Sequence, residues 1–208
     1  MHRLLIVFIA VIVSLGAVAE PRPAQRPEPI RLLVLGDSLS AAYGMSLEQG
    51  WVALLSEALA EQVQIDNASI SGETSGGGLA RLPVLLQRNQ PDWVLLELGA
   101  NDGLRGYPLS RLRDNLSAKI ALVRDAGAEP ILFAMALPAN YGERYTRQFA
   151  ALYPQLAAEQ KTALLPFQFS DLLGQPGMIQ EDGLHPTAAA QPIIAARIEQ
   201  QLRQLLQL

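Results

Sequence analysis

Short apolar, β-rich runs alternate with longer segments whose apolar residues recur at helical spacing, and this alternation restricts the fold more than any other feature of the chain. The spacing predicts strands at Ile30–Leu35, Val63–Asn67, Trp93–Leu98, Pro130–Ala136 and Ala163–Pro166. It predicts a helix over Ser46–Glu61, opened by the capping-box pattern Ser46-Leu47-Glu48-Gln49 and placing Leu47, Trp51, Leu54, Leu55 and Ala58 on one face. A second helix over Ser110–Ala126 groups Leu112, Leu116, Ile120 and Val123 and stops at Gly127. The last starts near Thr187 and carries Ala190, Ile194, Ile198 and Leu202 at steps of four. Strands separated by helices pair in parallel through right-handed crossovers, so the expected class is α/β: a three-layer α/β/α sandwich around a five-stranded parallel sheet. Ligands bind such sheets beyond the carboxyl ends of the strands, which makes the loops after each strand the place to look for chemistry.

Ahead of the first strand lies an address rather than structure. Residues 1–19 have a positive start at Arg3, an apolar run from Leu4 to Leu15 and an Ala17-Val18-Ala19 cleavage signature, so they read as a signal peptide cut before Glu20. The apolar run falls short of the ~20 residues a membrane-spanning helix needs, so no stable membrane anchor is expected. Residues 20–29 alternate prolines with polar residues and form an extended linker, leaving residues 30–208 as one domain. The protein is therefore expected to be exported to the periplasm, or secreted. Half of the residues are apolar and only 17% are charged, enough for a packed core. The net charge of −4 offers no basic surplus for a phosphate backbone, so nucleic acid is not an expected partner.

Three loops after strands stand out. The first, Gly36-Asp37-Ser38-Leu39-Ser40, puts a serine on a tight strand-to-helix connection, where a hydroxyl projects and backbone amides face a developing anion; a helix cap would use the same residues. The second runs Asn67-Ala68-Ser69-Ile70-Ser71-Gly72-Glu73-Thr74-Ser75 into Gly76-Gly77-Gly78, which suits a helix start or an anion nest but lacks the ending of a nucleotide P-loop. The third is Gly99-Ala100-Asn101-Asp102-Gly103. Near the C-terminus, Asp182-Gly183-Leu184-His185-Pro186 sets a carboxylate three residues before the only histidine outside the leader. A serine nucleophile needs a base near neutrality and a carboxylate to hold that imidazole in one tautomer, and this pentapeptide supplies both. With one histidine left and no cysteine, neither a multi-histidine metal site nor a thiol nucleophile is available. The Gly-x-Ser-x-Gly elbow of α/β-hydrolases is also absent.

Taken together, Gly36-Asp37-Ser38-Leu39, Gly72, Gly99-Ala100-Asn101-Asp102 and Asp182-Gly183-Leu184-His185-Pro186 resemble, in order and spacing, the four blocks of the SGNH, or GDSL, hydrolases. The segments Asn67–Gly72, Leu79-Ala80-Arg81-Leu82-Pro83, Glu97-Leu98-Gly99, Asn101–Gly106 and Leu137-Pro138-Ala139-Asn140-Tyr141-Gly142 narrow the likeness. They resemble the periplasmic, multifunctional thioesterase, lysophospholipase and arylesterase group of Gram-negative bacteria. The resemblance spans the chain from Ile30 onward and implies a flavodoxin-like sheet of order 2-1-3-4-5. By that likeness Ser38 is the nucleophile, His185 the general base and Asp182 its orienting carboxylate. The Ser38 and Gly72 amides and the Asn101 side chain are then the oxyanion hole, while Asp37 and Asp102 shape their loops. The corresponding family segments border an acyl chain, which implies substrate contacts at Leu104, Tyr107, Leu137 and Pro138, with Gly103 and Gly106 letting the first segment move. The implied activity is hydrolysis of carboxylic esters and acyl thioesters by a monomer acting on a small-molecule substrate, without cofactor or metal. A carbohydrate O-acetylesterase of the same fold and a non-catalytic binding module are the alternatives.

Overall fold

The computed structural model describes residues 28–208 except 167, 168, 170 and 173, so the leader and most of the linker lie outside the described residues. Five parallel strands, β1 (Ile30–Gly36), β2 (Val63–Asn67), β3 (Trp93–Glu97), β4 (Glu129–Phe133) and β5 (Ala163–Leu165), form one sheet in the order β2-β1-β3-β4-β5. The expected α/β/α class and strand order are thus the observed ones. Leu32 to Leu35 of β1 and Val94 to Leu96 of β3 are fully buried, as central strands covered on both faces must be. In register, Leu32 stands opposite Trp93 and Gly36 opposite Glu97, so β1 and β3 end side by side.

Among the described residues six α-helices accompany the sheet: α1 (Trp51–Ala58), α2 (Ser75–Asn89), α3 (Ala100–Leu104), α4 (Leu109–Asp125), α5 (Glu143–Gln160) and α6 (Gln191–Leu206). Helix α1 packs on α6, while α2 packs on α4 and α4 on α5. The Gln191 side-chain oxygen accepts the Trp51 N–H at 3.0 Å, so the last helix caps the first. No helix among the described residues is long and apolar enough to cross a membrane.

Several boundaries differ from the sequence expectation, each for a local reason. The segment from Ser46 is a 3₁₀ turn at Leu47–Gln49 followed by α1, because Gly50 is extended (φ −70°, ψ 148°) and interrupts the helix. Gln49 Oε1 does reach back to the Ser46 N–H at 3.1 Å. The break puts Leu47 out of phase with α1 and leaves it 68% exposed, and Ala58 is exposed as well, while Val52 and Leu59 are buried instead. Helix α6 starts at Gln191 rather than Thr187, since i→i+3 bonds close a tight turn over 187–191. Strand β4 stops at Phe133 because its neighbour β5 is only three residues long and last pairs through Ala134 N–H to Leu165 O. Met135 and Ala136 are thereby released from the sheet. Helix α4 buries Leu112, Leu116, Ile120 and Val123 as its spacing predicts, and Gly127 ends it at φ +80°. The glycines 76–78 are the first turn of α2, capped by Thr74 Oγ1, which accepts the Gly77 N–H at 3.1 Å. Gly78 must lack a Cβ because Leu98 fills that space.

Candidate active site

The ends of β1, β3 and β4 and one late loop meet at a cavity of about 590 Å³. From the β1 end, Ser38 Oγ lies 2.8 Å from His185 Nε2. His185 Nδ1 is 2.6 Å from Asp182 Oδ2, and Asp182 Oδ1 accepts the Leu184 and His185 N–H groups at 2.9 and 3.0 Å. Gly183, at φ +71°, permits the turn that folds the carboxylate under the ring. Partial burial pushes the Asp182 carboxyl up, but those two N–H groups and the imidazole outweigh it and hold the acid below its ordinary value. The arrangement keeps Nδ1 protonated and leaves Nε2 free to take a proton from Ser38.

A bridge between Ile179 and Pro186 closes this late loop into a small hairpin. Gln180 Nε2 donates to Tyr43 O at 2.9 Å and to Pro186 O at 3.0 Å, tying the hairpin to the segment after the nucleophile turn. The Tyr43 ring in turn lies over the His185 imidazole. Sequence reasoning singled out neither Tyr43 nor Gln180, although both flank motif residues.

From the β3 end, Asn101 Nδ2 donates to Asp37 Oδ2 at 3.0 Å, which uses one of the two amide hydrogens and leaves the other for a ligand. Gly72, after β2, is at φ +78° and is not among the residues that line the cavity; its carbonyl accepts from Arg105 Nη2 at 3.0 Å. Neither the Ser38 nor the Gly72 amide makes a hydrogen bond within the protein among the described residues. Asp102 faces away from the cavity: its oxygens accept the Ser75 N–H at 2.7 Å and the Ser75 hydroxyl at 2.6 Å, pinning the start of α2 to α3. Buried Lys119 completes that knot by donating to Ser75 O at 2.7 Å. Burial drives its ammonium down to about 7, against the pull of Asp102 and Glu73.

The cavity wall is apolar, with Leu104, Leu137 and Pro138 joined by Met135, Phe169 and Leu184. Tyr107 is not part of it. Its backbone N–H bonds Asp102 O at 2.9 Å, and Arg111 lies over its ring at 5.2 Å. Gly103 is no hinge either. It is buried inside α3, where a Cβ would come within 2.7 Å of Leu137 Cδ1 and 2.8 Å of Phe149, so it allows close packing rather than movement. Gly106, at φ +67°, is the glycine of that segment with open space around it. Among the described residues no cluster of His, Cys, Asp and Glu is fit to hold a metal ion.

Residues 34–192 match the model of the GDSL-like lipase/acylhydrolase family. The chain is 49% identical over 175 residues to an arylesterase of Vibrio mimicus, covering 83% of this chain and 88% of that one. It is equally similar, 49% over 175 residues, to the thioesterase 1/protease 1/lysophospholipase L1 of Escherichia coli strain K12, with 84% of each chain covered. Among solved structures, the psychrotrophic esterase EstA of Pseudoalteromonas sp., inhibited by monoethylphosphonate, superposes with a TM-score of 0.82 at 41% identity, covering 86% of this chain and 99% of that one.

Proposed function

The chain belongs to the GDSL-like lipase/acylhydrolase family and is an ester hydrolase, and on that premise we propose that Ser38, His185 and Asp182 carry the reaction through an acyl-enzyme. The observation that carries this reading is the unbroken contact chain Ser38 Oγ–His185 Nε2 (2.8 Å) and His185 Nδ1–Asp182 Oδ2 (2.6 Å) at the edge of an apolar cavity. His185 takes the Ser38 proton as Oγ attacks the acyl carbon, and the ionised Asp182 stabilises the imidazolium. The carbonyl oxygen becomes an oxyanion facing the Ser38 and Gly72 amides and the second Asn101 hydrogen. Collapse of this intermediate returns the proton from His185 to the departing alcohol or thiol, and water repeats the sequence to release the acid. The proton is handed out and returned, so the chemistry balances without a cofactor.

Leu104, Leu137 and Pro138 are proposed to flank the acyl chain. The substrates proposed are aryl esters, acyl thioesters and lysophospholipids, met in the periplasm after residues 1–19 have directed export. Acyl-series kinetics with aryl esters tests the reading. The rate constant kcat/KM should rise over the first several methylenes, each buried one contributing up to ~0.8 kcal/mol, and then level off. A preference for acetyl esters that longer chains abolish would favour the carbohydrate O-acetylesterase instead, and no turnover together with no phosphonate labelling of Ser38 would favour a binding module.

A further inference from the structure

One buried polar group to which this chemistry gives no role is Glu97. It ends β3 with 1% exposure, and no Lys or Arg pairs with it among the described residues. Its Oε2 accepts the Asp37 N–H at 3.0 Å and the Ser40 hydroxyl at 2.6 Å, gripping the nucleophile turn on both sides of Ser38. Its Oε1 is buried with no hydrogen-bond partner among the described residues. Gly36 exists to make room for this acid: a Cβ there would collide with Glu97 Oε2 and stand 2.8 Å from the hydroxyls of Ser40 and Ser69. Asp37, equally buried, accepts the Leu39 N–H at 3.1 Å on Oδ1 and Asn101 Nδ2 at 3.0 Å on Oδ2. One chain of contacts thus runs from Ser40 through Glu97 and Asp37 to the Asn101 amide.

Two carboxyls buried against each other without a cation cannot both ionise. We propose that Glu97 is a positioning residue that keeps its proton at neutral pH, holding the Ser38 turn with its acceptor oxygen and, through Asp37, aiming the Asn101 amide at the oxyanion. The proposal rests on the serine-hydrolase reading of the site. With that one proton on Glu97 the pair carries a single negative charge, and that charge sits on Asp37, which lines the cavity. Burial and the Asp37 charge drive Glu97 well above its ordinary value, while burial, opposed by its hydrogen bonds, pushes Asp37 to about 6. The other ionisable groups that feel the pair are His185 from the late hairpin and Tyr153 from α5, whose hydroxyl donates to Leu98 O at 3.0 Å.

The test compares wild type with Glu97→Gln and Glu97→Met as full-length enzymes, with active sites counted by a serine-reactive phosphonate. Glu97→Gln keeps the shape and the acceptor oxygen and puts an NH₂ in place of the acid hydroxyl, so kcat should stay within about threefold of wild type. Infrared difference spectra at pH 7 should show a protonated-carboxyl C=O band in wild type that this variant lacks. Glu97→Met removes the acceptor for Asp37 N–H and Ser40 O–H, and should lower kcat about 10- to 100-fold with KM nearly constant. The proposal is overturned by a carboxylate band in place of the acid band, by a Gln variant as damaged as the Met variant, or by a folded Met variant with full kcat. Should Glu97→Met not fold, the spectra and the Gln variant still decide. A failure of the serine mechanism is distinguishable, because Ser38 would then resist the phosphonate while the infrared result stood.

Discussion

The ring of Tyr43 lies over the imidazole of His185, with centroids 4.3 Å apart and planes inclined by 34°. The imidazole is therefore held by Asp182 along its edge and by an aromatic surface on one face. Tyr43→Ala should lower kcat about 2- to 10-fold, the loss of one aromatic pair worth roughly 0.5–1.5 kcal/mol, whereas Tyr43→Phe keeps the ring and should match wild type. Steady-state kinetics on an aryl ester checks both, and equal damage in the two variants would transfer the role to the hydroxyl.

Ser38→Ala and His185→Ala should each abolish measurable turnover, while the thermal midpoint of Ser38→Ala stays near wild type because no core cavity is made. Groups that act as one unit are non-additive, so the double variant should be no slower than the worse single one. Losses that multiply would separate the two residues.

Asn101→Ala should reduce kcat by about 10²- to 10³-fold with KM little changed, as for loss of one oxyanion donor. It should also destabilise the fold by about 1–3 kcal/mol, because Asp37 Oδ2 is left buried without its donor. Asn101→Asp should be worse on both counts, adding a third carboxyl beside the Asp37–Glu97 pair. Urea unfolding alongside kinetics separates the two effects.

Leu104 is half-buried on the cavity wall, whereas Leu137 is buried and also packs against Gly103. Leu104→Ser should accordingly depress long-chain esters several-fold more than acetate esters with little change in stability, at about 0.8 kcal/mol per methylene left unburied. Leu137→Ser should show the same selectivity with a lowered melting point. A uniform effect across chain lengths would remove both residues from the acyl path.

Lys119 gives stability a pH signature of definite sign. Its ammonium is pulled from 10.5 to about 7 by burial, so between those values the unfolded chain binds more protons and this residue makes stability rise with pH. Relative to wild type, Lys119→Met should therefore lose ground steadily as urea unfolding is repeated from pH 7 to 9. Parallel curves would mean that the amine stays charged in the fold.

What the residue pattern conveyed was the sheet, the crossovers and the loops that bear Ser38, Asn101 and His185, because strand runs and short motifs are local signals. It misplaced Leu47 since helical spacing carries through Gly50 on paper, while the chain there is extended. The glycines at 76–78 read equally as a helix start or an anion nest, and in the fold they are the first turn of α2, which packs on α4. Gly103 looked like a hinge only until Leu137 and Phe149 filled the space a Cβ would need. The roles of Tyr43, Gln180 and Glu97, the last of these inside a family-like segment, are not legible for another reason: each matters through a partner distant in sequence. Lys119 did leave a trace, falling three residues after Leu116 on the apolar face of α4, where a cation needs a buried acceptor.

The hydrogen bond from Trp51 N–H to Gln191 joins residues 140 apart, and the Ser38–His185 contact spans 147. The nucleophile is thus made early and its base almost last. A nascent chain that has completed its sheet still holds a serine without a base, because Asp182 and His185 follow the last strand. A protein trimmed before Asp182 would therefore keep all five strands and the nucleophile turn yet lack both the base and its carboxylate.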